Sequence, residues 1–185
     1  MKVYFSAAIT YRNKMRDSYK EIKSSIISLG YECLESFDVM GEDLDYVLSQ
    51  THEQSAEFVR RWNKVVGEAD MAVLETSYPG TVNMGFEASA ILEKGKPVVA
   101  MCKKGQNPSF LGDFHSKKFI KLEYDDKNIR ELVEYGLNEA KEMLDRRFTM
   151  IISPAIDDHL EKVADKNNLS RSEYIRELIR KDMEK

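Results

Sequence analysis

The chain has 185 residues, of which 42% are hydrophobic and 32% charged, and a formal net charge of −4. That length supports one good core and a small appendage, within an ordinary globular composition. No apolar run approaches the roughly 20 residues that cross a bilayer, so no membrane partner is expected.

From the N-terminus, Met1-Lys2-Val3-Tyr4-Phe5-Ser6 lacks a charged segment leading into an apolar one, so it reads as a first strand rather than a signal peptide. A cytoplasmic protein is expected. Residues Arg12 to Leu29 place Met15, Tyr19, Ile22, Ile26 and Leu29 at helical spacing, and Gly30 follows as the C-cap. Tyr31 to Leu34 is a short second strand. The acidic, loosely patterned stretch over 36–51 would serve as a lid closing over a ligand. A second helix is predicted over His52 to Gly67, burying Ala56, Val59, Trp62 and Val66. Met71 to Leu74 is a strand, followed by the turn-rich Ser77-Tyr78-Pro79-Gly80-Thr81. A third helix runs from about Asn83 to Gly95. Strands at Pro97–Cys102 and Phe119–Leu122 come next, and a helix over about Lys127–Leu144 closes the unit. Strands alternating with helices predict a Rossmann/flavodoxin-like α/β fold, a five-stranded parallel sheet covered on both faces.

The last forty residues differ in character. Residues 146–185 hold 9 Lys/Arg and 8 Asp/Glu, a balance of +1 that leaves −5 for residues 1–145. Two domains are therefore expected, 1–145 and 146–185. Arg147 to Ile152 alternates as a strand, with Phe148, Met150 and Ile152 on one face. Ser153-Pro154 opens one helix, with Ile156, Leu160, Val163 and Ala164 as its apolar stripe. Ser170-Arg171-Ser172-Glu173 opens another as a capping box, with Tyr174, Ile175, Leu178 and Ile179 inward. One strand and two short helices cannot bury themselves, so this module needs a second copy.

Cys33 and Cys102 stand singly in apolar stretches and read as buried free thiols. His52, His115 and His159 lack ligand spacing, so neither metal nor other cofactor is expected. In open parallel sheets a ligand binds at the carboxyl ends of the strands, where strand order reverses. The loops leaving such ends are 7–12, 75–87 and 103–112. Pro79 through Glu87 combines a tight turn, the Thr81 hydroxyl and a helix N-terminus, a combination suited to phosphate. Glu87 in the first turns of that helix reads either as a catalytic carboxylate or as a residue favoured there by the helix dipole, and Thr81 either as a phosphate ligand or as a cap.

Three segments carry a resemblance: Val3-Tyr4-Phe5-Ser6-Ala7-Ala8-Ile9, Ala69-Asp70-Met71-Ala72-Val73-Leu74-Glu75, and Pro79 through Glu87 with its Gly85-Phe86-Glu87. On these, the first 145 residues resemble the nucleoside 2-deoxyribosyltransferase superfamily, especially its 2'-deoxynucleoside 5'-monophosphate N-hydrolase branch. The resemblance implies that Glu87 is the nucleophile on the sugar C1' carbon and that Tyr4 stands beside it and the sugar. It implies a substrate and phosphate site of Ser6, Ile9, Thr10, Pro79, Gly80, Thr81 and Gly85, with Ser109 reaching the phosphate from a partner subunit. The substrate would be a deoxynucleotide or deoxynucleoside, cleaved by hydrolysis or passed to a second base by a transferase. Two positions depart from the pattern. Many relatives carry an aspartate where Trp62 or Asn63 stands here, and the monophosphate branch has an arginine where Thr10 stands, with Arg12 two residues on.

The tail, residues 147–183, resembles the ribbon-helix-helix module of small repressors and antitoxins. That resemblance implies paired strands presenting Arg147, Thr149 and Ile151 to DNA, with Ser170 and Arg171 meeting phosphate. Dimerisation alone and DNA binding both remain open for it, as does a nucleotide-sensing regulator without turnover. With both modules expected to pair, a homodimer or tetramer is expected.

Overall fold

The computed structural model describes residues 1–35, 49–77, 82–106, 116–144 and 148–185. Their backbone divides into two compact units, Met1–Asp145 and Arg146–Lys185.

In the first unit the elements are β1 (Lys2–Ala7), α1 (Arg12–Ser28), β2 (Glu32–Leu34), α2 (His52–Glu68), β3 (Met71–Glu75), α3 (Val82–Glu93), β4 (Val98–Lys103), β5 (Phe119–Tyr124) and α4 (Ile129–Glu142). All strand pairs are parallel, in the order β2-β1-β3-β4-β5. This is the flavodoxin-like order, whose switch point lies between β1 and β3. The period of two along each strand sorts side chains between two cores. Val3, Phe5, Ala7, Met71, Val73, Val99 and Met101 face α1 and α4. Tyr4, Ala72, Leu74 and Val98 face α2 and α3.

The helix stripes follow the expected spacing, with one difference. Met15, Tyr19, Ile22 and Ile26 are buried on α1, and Gly30 takes a left-handed φ of 85° beyond its end. On α2, Trp62 and Val66 are buried, whereas Val59 is half exposed and Phe58 and Val65 pack against the core instead. Both i+3 and i+4 neighbours share a helix face, so spacing alone allowed either Phe58 or Val59 to accompany Trp62. Both ends of α2 are fastened. Thr51 and Gln54 form a reciprocal capping box, and Lys96 Nζ donates to the carbonyls of Val66, Gly67 and Ala69 at 2.7, 2.7 and 2.6 Å. Those carbonyls are the acceptors a helix leaves unpaired at its C-terminus.

The second unit contains α5 (Pro154–Lys166) and α6 (Arg171–Met183). Pro154 occupies the first turn of α5, but the Ser153 hydroxyl makes no capping bond. Ser170 and Glu173 form the expected capping box. Leu160 and Ala164 are buried, while Ile156, Leu178 and Ile179 are about half exposed. Residues 148–152 form no strand, and Phe148, Met150 and Ile151 are exposed. A strand is defined by its ladder, and a single chain supplies no second copy to pair with.

Candidate functional site

The site grows from the switch point. Tyr4 and Ser6, on the same face of β1, are fully buried beneath α2 and α3. On α3 the buried residues are Met84, Glu87, Ala88 and Ile91, the i, i+3, i+4, i+7 stripe of a core-facing helix. Glu87 is thus the one charged member of an apolar stripe, with 8% of its surface exposed. A residue placed by the helix dipole alone would sit in the first turn facing water; Glu87 lies a turn further in and faces the sheet.

Its two oxygens are held from β1. Tyr4 Oη donates to Oε2 at 2.8 Å, and Ser6 Oγ donates to Oε1 at 3.4 Å. Burial pushes the Glu87 carboxyl above the usual carboxylate range, opposed by the hydrogen bonds from Tyr4 and Ser6 and by the nearby Trp62 indole. Burial disfavours the charged form, whereas donors aimed at it favour it. The result is a desolvated carboxyl held through both oxygens, the kind of environment in which functional carboxylates are found.

The other expected residues fall as follows. Ile9 and Thr10 belong to a single turn of 3-10 helix directly after β1, Ile9 half-buried and Thr10 exposed. Gly85 sits on α3, one residue before Phe86. Pro79, Gly80, Thr81, Ser109 and Arg147, and residues 36–48 of the expected lid, lie outside the described residues. In the second unit Thr149 and Ile151 are exposed, Ser170 caps α6, and Arg171 Nη1 contacts Asp157 Oδ1 at 2.6 Å. Among the described residues, no group of three or more His, Cys, Asp or Glu is arranged to hold a metal ion.

A second buried carboxyl was not among the expected site residues. Glu75 ends β3 and, by strand alternation, points to the opposite face of the sheet, toward α1 and α4. Ser77 donates to its Oε1 through both hydroxyl and backbone N–H, and Tyr124 Oη donates to the same oxygen at 2.9 Å. The Ser77 hydroxyl also accepts from the Lys103 backbone N–H at 2.8 Å. Glu75 therefore anchors the start of the loop leading to α3. The sequence signal was present: a glutamate ending an apolar strand whose neighbours are buried on both sheet faces.

No protein-family model matches the chain. It is 32% identical over 101 residues to a Thermofilum pendens protein named "Putative 2'-deoxynucleoside 5'-phosphate N-hydrolase 1", covering 55% of this chain and 67% of that one. Among solved structures, the Clostridium botulinum CMP N-glycosidase BcmB superposes with a TM-score of 0.50 at 13% identity, covering 74% of this chain and 99% of the other. The likeness to that structure is one of fold. With the sequence match covering two thirds of its relative, the chain belongs to the 2'-deoxynucleoside 5'-phosphate N-hydrolase family.

Proposed function

We propose that the α/β unit is an N-glycosidase that cleaves the base–sugar bond of 2'-deoxynucleoside 5'-monophosphates, with Glu87 as the nucleophile. The observation that carries this reading is Glu87 itself, a carboxyl in a buried apolar stripe, held through both oxygens by Tyr4 and Ser6 at the sheet's switch point. Membership of the N-hydrolase family supplies the reaction class.

Breaking an N-glycosidic bond builds positive charge on the sugar, which a carboxylate beneath C1' stabilises or captures. Oε2 is fixed by the shorter Tyr4 bond, leaving Oε1, under the weaker Ser6 contact, to approach C1'. The base leaves with the electron pair of the C1'–N bond, and a glycosyl ester forms on Glu87. Water then cleaves that ester, so that overall C1' gains OH and the base gains H. Backbone amides of the turn after β1 and at the start of α3 would receive the 5'-phosphate, with Thr10, Gly80, Thr81 and a partner's Ser109 as its proposed ligands. If free base in solution captured the ester instead of water, the enzyme would be a transferase.

Base release from a panel of deoxynucleosides, their 5'-monophosphates and CMP tests the reading. Release from a deoxynucleoside monophosphate, lowered at least 10³-fold in Glu87→Ala as removal of a covalent nucleophile demands, is the expected result. Release only on adding a second base would transfer the assignment to a deoxyribosyltransferase. No turnover with nucleotide binding retained would point to a sensor.

For the second unit we propose a ribbon-helix-helix module that pairs with another copy through the segment 148–152. The exposed Phe148, Met150 and Ile151 beside two helices, the second opened by a capping box, support it. DNA contact through Arg147, Thr149, Ser170 and Arg171 is the further role this pairing would allow.

A further inference from the structure

Among the described residues, the Trp62 indole N–H is a buried donor that completes no hydrogen bond. The residue is 5% exposed, and its Nε1 is shielded from solvent without closing a hydrogen bond. A shielded, unpaired donor is destabilising, a cost that phenylalanine at the same place would avoid. The ring is held in position by Phe86, the neighbour of Glu87, with centroids 5.9 Å apart and planes inclined at 37°. Trp62 packs in the same core as Tyr4 and Ala88, so its indole lies beside the Glu87 carboxyl, whose charged form it favours. Asn63 does not compete for this place, since it is exposed and its Nδ2 donates to the Val59 carbonyl of its own helix at 3.1 Å.

We propose that Trp62 is a positioning residue for Glu87: on ionisation of the carboxyl, the indole N–H closes a third hydrogen bond beside those from Tyr4 and Ser6. The inference rests on the reading of Glu87 as nucleophile. Among the described residues, the groups beside the carboxyl are Tyr4 and Ser6 from β1 and Trp62 from α2, all neutral donors. A carboxylate at position 62 would repel ionised Glu87, whereas an indole N–H stabilises it and cannot take its proton.

The chain contains a single tryptophan, so its indole gives one ¹H–¹⁵N cross-peak. In the full-length protein that peak is expected to move downfield as pH rises through the ionisation of Glu87, and to stay still in Glu87→Gln. In Trp62→Phe the acid limb of kcat/KM should move up by about one pH unit, with kcat about tenfold lower near that limb and KM within about threefold, the loss of one hydrogen bond to a charged group. An indole peak whose titration survives Glu87→Gln would overturn the proposal. So would a Trp62→Phe enzyme of lower thermal stability but unmoved pH profile, which is the behaviour of a packing residue. A peak that titrates with Glu87 in a protein releasing no base would uphold the contact and overturn the glycosidase reading instead.

Discussion

Glu75 and Glu87 are both buried carboxyls, and they differ in which face of the sheet they occupy. Glu87, on α3, lies in the core on that helix's side of the sheet, with donors on both oxygens; Glu75 faces the opposite core, where Ser77 and Tyr124 converge on one oxygen. Burial raises Glu75 above the ordinary carboxylate range, and burial together with its charge keeps Tyr19 and Tyr124 protonated as donors. A carboxyl whose folded pKa lies above its unfolded value of about 4.3 contributes stability that is complete below that value. The contribution is lost as pH rises through the folded pKa. Glu75→Gln keeps an acceptor for Ser77 and Tyr124 and cannot ionise. Its Tm at pH 7.5 should therefore exceed that of the wild type, while at pH 4.5 the two should nearly coincide. Scanning calorimetry at both values checks this, and a variant less stable at pH 7.5 would show that the ionised form is the one the fold prefers. At this scale the sequence was legible where a motif named the residue, as Gly85-Phe86-Glu87 did. It was not legible where a role depends on inward orientation: nothing in Arg61-Trp62-Asn63 said that the indole, rather than the amide, is the buried one.

Elements were legible where one periodicity excluded the other. The apolar runs of β1, β3 and β4 predicted a two-sided buried sheet, and the five parallel strands with helices on both faces follow from it. Strand order was not legible, because it is set by helix packing across the sheet rather than by local pattern. Two helical glycines show how close that packing is. A Cβ on Gly136 of α4 would stand 2.6 Å from Val99 Cγ1 and 2.9 Å from Leu122 Cδ1, whereas one on Gly67 near the end of α2 would meet nothing within 4 Å. Val99 is β-branched and held in a central strand, so it cannot turn aside cheaply. Gly136→Ala should lose about 1–3 kcal/mol to overpacking, set against about 1 kcal/mol gained in helix propensity. Gly67→Ala should keep only the gain, about 0.5–1 kcal/mol. Urea denaturation is expected to lower the midpoint of the first variant and raise that of the second. Equal midpoints would mean that α4 stands further from β4 and β5 than the glycine contact implies.

At the scale of the whole molecule, the two units meet their burial requirements differently. The first has two cores of its own, one on each face of its sheet. Among its described residues the second buries Leu160 and Ala164 alone, while Phe148, Met150, Ile151 and Met183 remain largely exposed. Its capping box and its αL Asn168 between the helices were written in local sequence. The strand expected over 148–152 is not formed in the single chain; a strand needs a partner to complete its ladder. If that strand pairs, removing its apolar face should weaken association without touching the α/β core. Sedimentation of the full chain should show a dimer or larger species, shifted toward smaller species by Phe148→Lys with Met150→Lys. The thermal transition of the α/β unit and base release per chain should change little unless a partner's Ser109 completes the phosphate site. In that case KM for the monophosphate should rise with dissociation while the free nucleoside is unaffected. An unchanged sedimentation profile in the double variant would place self-association elsewhere, on the α/β unit, where Val82 and Phe86 of α3 are also exposed.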